Sequence, residues 1–269
     1  MPLTAGDVSH VYCRREPGEA KALDRINVSI DRGEFVLVTG AAGSGKTTLL
    51  QCLSGLMRPT TGRVAADGAA ATSIQFPERA LFASTVYDDV AFGPRNMGVS
   101  KDETDERVLE AVEAVGLDKG VLARDPRALS HGQRRLAALA GVIAVRPRYL
   151  LLDEPTAGLD SKGRSRVIRA LMELNEAGTA MIVASHDLGH FMGICGRMLV
   201  LDRGKIIFDG PPEEAVSCDA VYSAGLALPP SMLAARWLRL RGVDVPWDVS
   251  PVAVAGHIRG QGLEGTRMD

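Results

Sequence analysis

Gly40-Ala41-Ala42-Gly43-Ser44-Gly45-Lys46-Thr47 has the spacing G-x-x-x-x-G-K-[ST]. Glycines so placed let successive backbone N–H groups turn inward and cradle phosphate oxygens. Lys46 would reach the β- and γ-phosphates of a nucleotide, and the Thr47 hydroxyl would ligate Mg²⁺. Thr48 opens the helix-like run Thr48-Leu49-Leu50-Gln51-Cys52-Leu53, whose dipole adds positive potential at the loop. The expected nucleotide-binding set is Gly40, Ala41, Ala42, Gly43, Ser44, Gly45, Lys46, Thr47 and Thr48. Further along, Tyr149-Leu150-Leu151-Leu152-Asp153-Glu154 is an apolar run ending in two carboxylates. Asp153 would hold Mg²⁺ through water, and Glu154 would orient or deprotonate an attacking water.

Both groups need strands that end at a common sheet edge. Phe35 to Val38 supplies the strand before the phosphate loop, with Asp31-Arg32-Gly33 as a turn after the extended segment Val28-Ser29-Ile30. Gly62-Arg63-Val64 reads as a strand leading to a turn at Asp67-Gly68. Tyr149 to Leu152 and Ala180 to Ala184 are nearly all apolar, as in a parallel sheet covered on both faces. Ser161 to Asn175 is the crossover helix between them. Val108, Leu109, Val112 and Val115 recur at helical spacing, behind an acidic helix start at Asp102 to Glu106. Met198 to Leu201 and Lys205 to Phe208 form a hairpin about Asp202-Arg203-Gly204. Pro211-Pro212 marks a boundary, beyond which Leu233, Trp237 and Leu240 make an apolar helical patch.

Leu129-Ser130-His131-Gly132-Gln133 extends the pattern. Here the chain resembles the ATP-binding cassette ATPases, whose signature reads L-S-G-G-Q. The resemblance covers roughly residues 7–215, and its elements come in family order. Tyr12 matches the aromatic that stacks on adenine. Gln75 matches a glutamine that links Mg²⁺ and water to the transport partner. Ser130, Gly132 and Gln133 match signature positions that complete the ATP site of a second chain. Asp160, in Gly158-Leu159-Asp160, belongs to the loop after the carboxylates, and His186 matches the histidine that senses the γ-phosphate. Glu154, His186 and Gln75 are the implied catalytic set, Thr47, Gln75 and Asp153 the implied Mg²⁺ set, and ATP and Mg²⁺ the cofactors. The implied fold is α/β: a RecA-like P-loop NTPase core with an inserted helical subdomain at about 90–146 and an antiparallel β subdomain. Residues 1–211 would form that ATPase domain, and 212–269 a small α-rich C-terminal domain that helps two ATPases pair.

Gln75-Phe76-Pro77-Glu78, Leu81-Phe82-Ala83, Thr85-Val86 and Asp88-Asp89-Val90-Ala91-Phe92-Gly93-Pro94 narrow the likeness. They resemble the energy-coupling factor (ECF) transporter ATPases, a group that includes cobalt and nickel importer ATPases. The implied function is ATP hydrolysis coupled to uptake of a vitamin or transition-metal ion. A second cassette, identical or paralogous, would be one partner. A transmembrane coupling subunit, docked near residues 75–94, and a substrate-binding membrane subunit would be the others, at the cytoplasmic face of the membrane. Two positions depart from the pattern: His131 replaces the first signature glycine, and Ala80 a glutamine. The rivals are an ATPase of another ABC transporter and a soluble, non-transport cassette. Gly40 to Leu129 leaves no room for the long coiled coil of chromosome-organising cassettes, and no Asn-Lys-x-Asp guanine reader occurs.

Bulk properties agree. At 269 residues and 46% hydrophobic, the chain supports one large domain with a small appendage. With 31 basic and 33 acidic side chains, nothing favours nucleic acid as a partner. No apolar stretch is long enough to span a bilayer, and no signal pattern opens the chain. Cys13, Cys52, Cys195 and Cys218 lack C-x-x-C spacing, so free thiols in a reducing cytosol are expected.

Overall fold

The computed structural model describes residues 1–13, 18–73, 77–224, 226, 228–243, 245 and 256. The strands are β1 (Leu3–Tyr12), β2 (Ala20–Ile30), β3 (Phe35–Gly40), β4 (Thr61–Ala65), β5 (Ala70–Ser73), β6 (Tyr149–Asp153), β7 (Ala180–Ala184), β8 (Arg197–Asp202) and β9 (Lys205–Gly210). The helices are α1 (Lys46–Leu53), α2 (Val86–Asn96), α3 (Lys101–Ala114), α4 (His131–Ile143), α5 (Ser161–Glu176), α6 (Leu188–Phe191), α7 (Pro212–Ser217), α8 (Asp219–Ser223) and α9 (Pro230–Arg239).

The main sheet has the order β5-β6-β7-β3-β8-β9, parallel except for β9. Its strands alternate between two apolar layers, as a period of two requires. Val36, Val38, Leu151 and Ile182 face α1 and the antiparallel sheet β2-β1-β4. Leu37, Leu150, Leu152, Met181 and Val183 face the opposite way, into a core shared with Val90 of α2, Val112 of α3, Leu139 of α4 and Val167 of α5. Burial on both faces is why β3, β6 and β7 read as unbroken apolar runs. The same core receives the C-terminal helices through Ala215, Val221 and Met232.

Three details refine the sequence reading. Helix α2 starts at Val86 because Thr85 caps it: the Thr85 side chain accepts from the Asp88 N–H. Leu109 is 40% exposed, since the buried stripe of α3 runs through Thr104, Val108, Ala111 and Val112. The patch Leu233, Trp237 and Leu240 faces outward, at 40%, 40% and 75% exposure, while Ser231, Met232 and Ala235 take the inner face of α9.

Candidate functional site

Strand order brings the chemistry together. β7 lies between β3 and β6, all three parallel, so the phosphate loop after β3, the carboxylates at the end of β6 and Ser185-His186 after β7 emerge side by side. This is the position at which open α/β sheets bind ligands.

The phosphate loop is held in shape by contacts within the chain. Gly40 has φ 144°, and a Cβ there would lie 2.1 Å from the Leu201 carbonyl oxygen, so only glycine fits. Gly45 has φ 108°, and a Cβ there would lie 2.5 Å from the Ala22 carbonyl oxygen. The first helical hydrogen bond after the loop runs from Leu49 N–H to Gly45 O at 2.8 Å. The N–H groups of Lys46, Thr47 and Thr48 lie before it, where a helix leaves donors for an anion. Lys46 Nζ donates to the carbonyls of Gly40 and Ala41 at 2.8 and 3.0 Å. Burial pulls the Lys46 ammonium below its ordinary value, against the opposing pull of Glu154 and Asp153. Thr48 is buried, and its hydroxyl pairs with Tyr12 Oη at 3.1 Å. That bond sets the Tyr12 ring, which is 39% exposed, beside the helix of the phosphate loop.

Thr47 Oγ1 donates to Asp153 Oδ2 at 2.6 Å. Asp153 is 6% exposed, and burial raises its carboxyl; the Thr47 bond lowers it, Glu154 raises it and Lys46 lowers it. A buried carboxylate beside a hydroxyl is an all-oxygen donor set, which suits a hard cation such as Mg²⁺. Among the described residues no group of three or more His, Cys, Asp or Glu is arranged to hold a metal ion. A cation here would take its remaining ligands from phosphate and water, as Mg²⁺ does.

Glu154 is the most constrained residue of the site. Its φ is 52°, a left-handed conformation that a non-glycine side chain rarely adopts. Its N–H donates to Ala184 O at 2.9 Å, and its carbonyl accepts from Ala157 N–H at 3.2 Å and from Arg135 Nη2. Its carboxylate accepts from Ser185 Oγ at 3.2 Å, from His186 N–H at 3.0 Å and from His186 Nδ1 at 2.6 Å. The structure thus joins Lys46, Thr47, Asp153, Glu154 and His186. Ser185 and Arg135 were not anticipated: Ser185 sits next to the expected histidine, whereas nothing in the sequence marks Arg135.

The signature residues make local contacts instead. Ser130 caps α4, accepting from Gln133 N–H at 3.2 Å while Gln133 Oε1 accepts from Ser130 N–H at 3.1 Å. Asp160 caps α5 by accepting from Gly163 N–H at 2.7 Å. Among the described residues no hydrogen bond joins Ser130, Gln133 or Asp160 to the phosphate loop. A Cβ on Gly132 would come no closer than 3.9 Å, to Leu159, so among the described residues nothing requires glycine there. Gln75 lies outside the described residues.

These features define a P-loop ATPase, and the comparisons agree. A family model described as ABC transporter matches residues 23–157. The energy-coupling factor transporter ATP-binding protein EcfA2 of Caldanaerobacter subterraneus subsp. tengcongensis is 39% identical, with 99% of each chain covered. EcfA2 of Symbiobacterium thermophilum is 41% identical over 93% of this chain and 92% of its own. Among solved structures, a dimeric ATP-binding cassette in a post-hydrolysis state with ADP and Pi superposes with TM-score 0.71 at 26% identity, over 78% of this chain and 98% of that one. The structure of cbiO1 from Clostridium perfringens, part of the ABC transporter complex cbiONQ, gives TM-score 0.69 at 31% identity, over 86% of this chain and 97% of that one. The chain belongs to the ABC transporter family, as an ATP-hydrolysing cassette. Within that family it groups with the energy-coupling factor transporter ATP-binding proteins.

Proposed function

We propose that this chain is the ATPase subunit of an ECF-type importer for a vitamin or transition-metal ion, working as one of two cassettes that clasp ATP between them. The carrying observation is the division of the site. Lys46, Thr47, Asp153, Glu154 and His186 converge in one place, whereas Ser130 and Gly132 stand at the start of α4, with Ser130 exposed and hydrogen-bonded only within that helix start among the described residues. A second chain supplying its own Ser130 and Gly132 would cover the γ-phosphate from the far side. The solved dimeric cassette, bound to ADP and Pi, supports that arrangement for a similar protein.

In this reading the loop N–H groups and Lys46 bind the phosphates, and Tyr12 packs against adenine. Mg²⁺, when bound at Thr47 and Asp153, neutralises charge developing on the transferred phosphoryl group. Glu154 accepts the proton of the attacking water, held for that task by Ser185 and His186. Hydrolysis replaces one anion by two that repel, which favours reopening, and His186 reports the change to Glu154. Gln75 is proposed as a link from the site to the membrane partner.

Two surfaces suit the remaining partners. A groove of ≈ 290 Å³ lies between β5, α2 and α4, lined by Ser73, Leu81, Phe82, Phe92, Val142 and Val145. Phe82 and Phe92 pack edge to face at 4.9 Å and are 67% and 47% exposed, as a docking rim for a coupling helix requires. The outward stripe Leu233, Trp237 and Leu240 is the proposed contribution of residues 212–269 to pairing. Among the described residues no helix is long and apolar enough to cross a membrane. A peripheral position on the cytoplasmic face therefore rests on the membrane partners.

Glu154→Gln tests the reading. ATP binding should persist, turnover should fall by about 100-fold or more, and ATP should trap closed pairs in sedimentation, with the chain alone or in its membrane complex. Turnover at the unmodified rate would overturn the assignment.

A further inference from the structure

One buried charge is unused by this chemistry. Arg135, one turn into α4, is 4% exposed. Its Nη2 donates to the carbonyl oxygen of Glu154. Its Nη1 lies 3.8 Å from Glu78 Oε2, and the Glu78 side chain is 7% exposed. That separation is an ion pair short of a hydrogen bond: among the described residues Glu78 Oε2 and Arg135 Nε have no hydrogen-bond partner. Burial pulls the Arg135 guanidinium below its ordinary value, with Glu78 and Glu154 opposing.

Burying a guanidinium and a carboxylate carries a large desolvation penalty, and a loose pair recovers little of it. An apolar side chain would fill the place without that penalty, as Leu136 and Leu139 do on the same helix. Stability therefore does not explain Arg135. Its contacts do suggest a role. The carbonyl it holds belongs to the residue at φ 52°, so fixing that peptide fixes the direction of the Glu154 carboxylate. Glu78 lies in the 3₁₀ turn Pro77–Ala80, and the chain continues from that turn into the groove wall at Ala80, Leu81 and Phe82.

We propose that Arg135 is a positioning residue that carries the placement of the 77–80 turn, at the wall of the docking groove, to the backbone of Glu154. A helix seated in the groove would press the turn toward α4. A shift of about 1 Å closes the Glu78–Arg135 pair to hydrogen-bond distance. Arg135 then holds the Glu154 peptide more firmly, and hydrolysis becomes conditional on docking. The proposal rests on Glu154 as the hydrolytic base.

The test is steady-state ATPase kinetics on the purified transporter complex with Glu78→Gln, Arg135→Gln, Arg135→Lys and the double variant Glu78→Gln/Arg135→Gln. Nucleotide affinity and melting temperature are measured in parallel. Glu78→Gln and Arg135→Gln should each lower kcat about ten-fold, roughly 1.4 kcal/mol in the barrier, with KM and nucleotide affinity within about two-fold of the parent. Arg135→Lys should not rescue, since an ammonium cannot bridge both partners. The double variant should be no slower than the slower single, as expected for one coupled pair. Effects on kcat that multiply, or a lowered melting temperature with kcat intact, overturn the proposal. If Arg135→Gln fails to fold, the near-isosteric Glu78→Gln decides alone. Glu154→Gln run alongside separates the two failures. Turnover retained there removes the hydrolytic base and this role with it, whereas turnover lost there with Glu78→Gln at the parental rate removes only this role.

Discussion

Ser130→Asp separates a residue's structural role from its role between chains. Ser130 Oγ caps α4 by accepting from Gln133 N–H at 3.2 Å, and the residue is exposed. Aspartate caps a helix as well as serine, so α4 should keep its start and the chain its melting temperature. In a closed pair the same side chain would meet the γ-phosphate bound to the other chain. One added negative charge about 4 Å from one phosphate charge is worth about 4 kcal/mol at an effective dielectric of about 20. Closure should therefore weaken about 1,000-fold at each such site. Ser130→Ala is the counterpart: it loses the cap, about 1 kcal/mol or a fall of roughly 2–4 °C. It also loses one hydrogen bond to a charged group, about 1.5–3 kcal/mol of closure. The assay is ATP-dependent association in a Glu154→Gln background by sedimentation velocity, with thermal melting of each variant. Were Ser130→Asp to close as tightly as the parent, the two-chain site would be wrong and Ser130 no more than a cap.

Other expectations concern the chain by itself. Burial raises the Asp153 carboxyl above its ordinary 3.8, so the folded chain holds that proton more tightly than the unfolded chain. Its contribution to stability is greatest below that value and is lost as pH rises through the folded value, leaving the full penalty at neutral pH. Asp153→Asn keeps an acceptor for Thr47 and should raise the nucleotide-free melting temperature at pH 7 by roughly 2–4 °C while abolishing turnover; a fall would refute the electrostatic account. Gly40→Ala places a methyl group 2.1 Å from the Leu201 carbonyl, so a loss of about 3 kcal/mol or more is expected in denaturant unfolding. Burial pushes the Cys52 thiol up to about 11 and the Cys195 thiol up to about 12, whereas Cys13 is exposed. Alkylation of the native protein at pH 8, read by mass spectrometry, should label Cys13 quickly and leave Cys52 and Cys195 unmodified until denaturation.

The sequence discloses chemistry where spacing is local. Gly40 to Thr47 and Asp153-Glu154 are each a short contiguous run, and β3, β6 and β7 are apolar enough to read at once. The antiparallel sheet is less legible. β1 carries Gly6, Asp7 and His10 among its apolar residues, and its pairing with β2 shifts register between Ala5 and Val8 and again on either side of His10. Those irregularities break the alternation that identifies a strand. The stripe Leu233, Trp237 and Leu240 shows the opposite limit. Its spacing defines one helix face correctly, but spacing does not say whether that face meets the core, and here smaller residues do. Arg135 and Ser185 escape for a third reason: each touches Glu154 only once the chain has folded.

The electrostatics of the site follow from the same geometry. The fold holds an ammonium whose charge burial disfavours near a carboxylate whose charge burial also disfavours, with a second carboxylate at φ 52° beside them. Each of these arrangements opposes folding. A bound polyanion gives Lys46 a partner stronger than two carbonyls, and a hard cation gives Asp153 one stronger than the Thr47 hydroxyl. Part of the free energy of binding is then relief of penalties already present in the fold. Glu154 differs, because its constraints come from Arg135, Ala184, Ser185 and His186 and not from phosphate or metal. Nucleotide should therefore stabilise the phosphate loop and Asp153 directly, while Glu154, the proposed hydrolytic base, is held by Arg135 of α4 and by Ser185 and His186 after β7. In the proposed function, that separation would let ATP be held before a membrane partner permits its use.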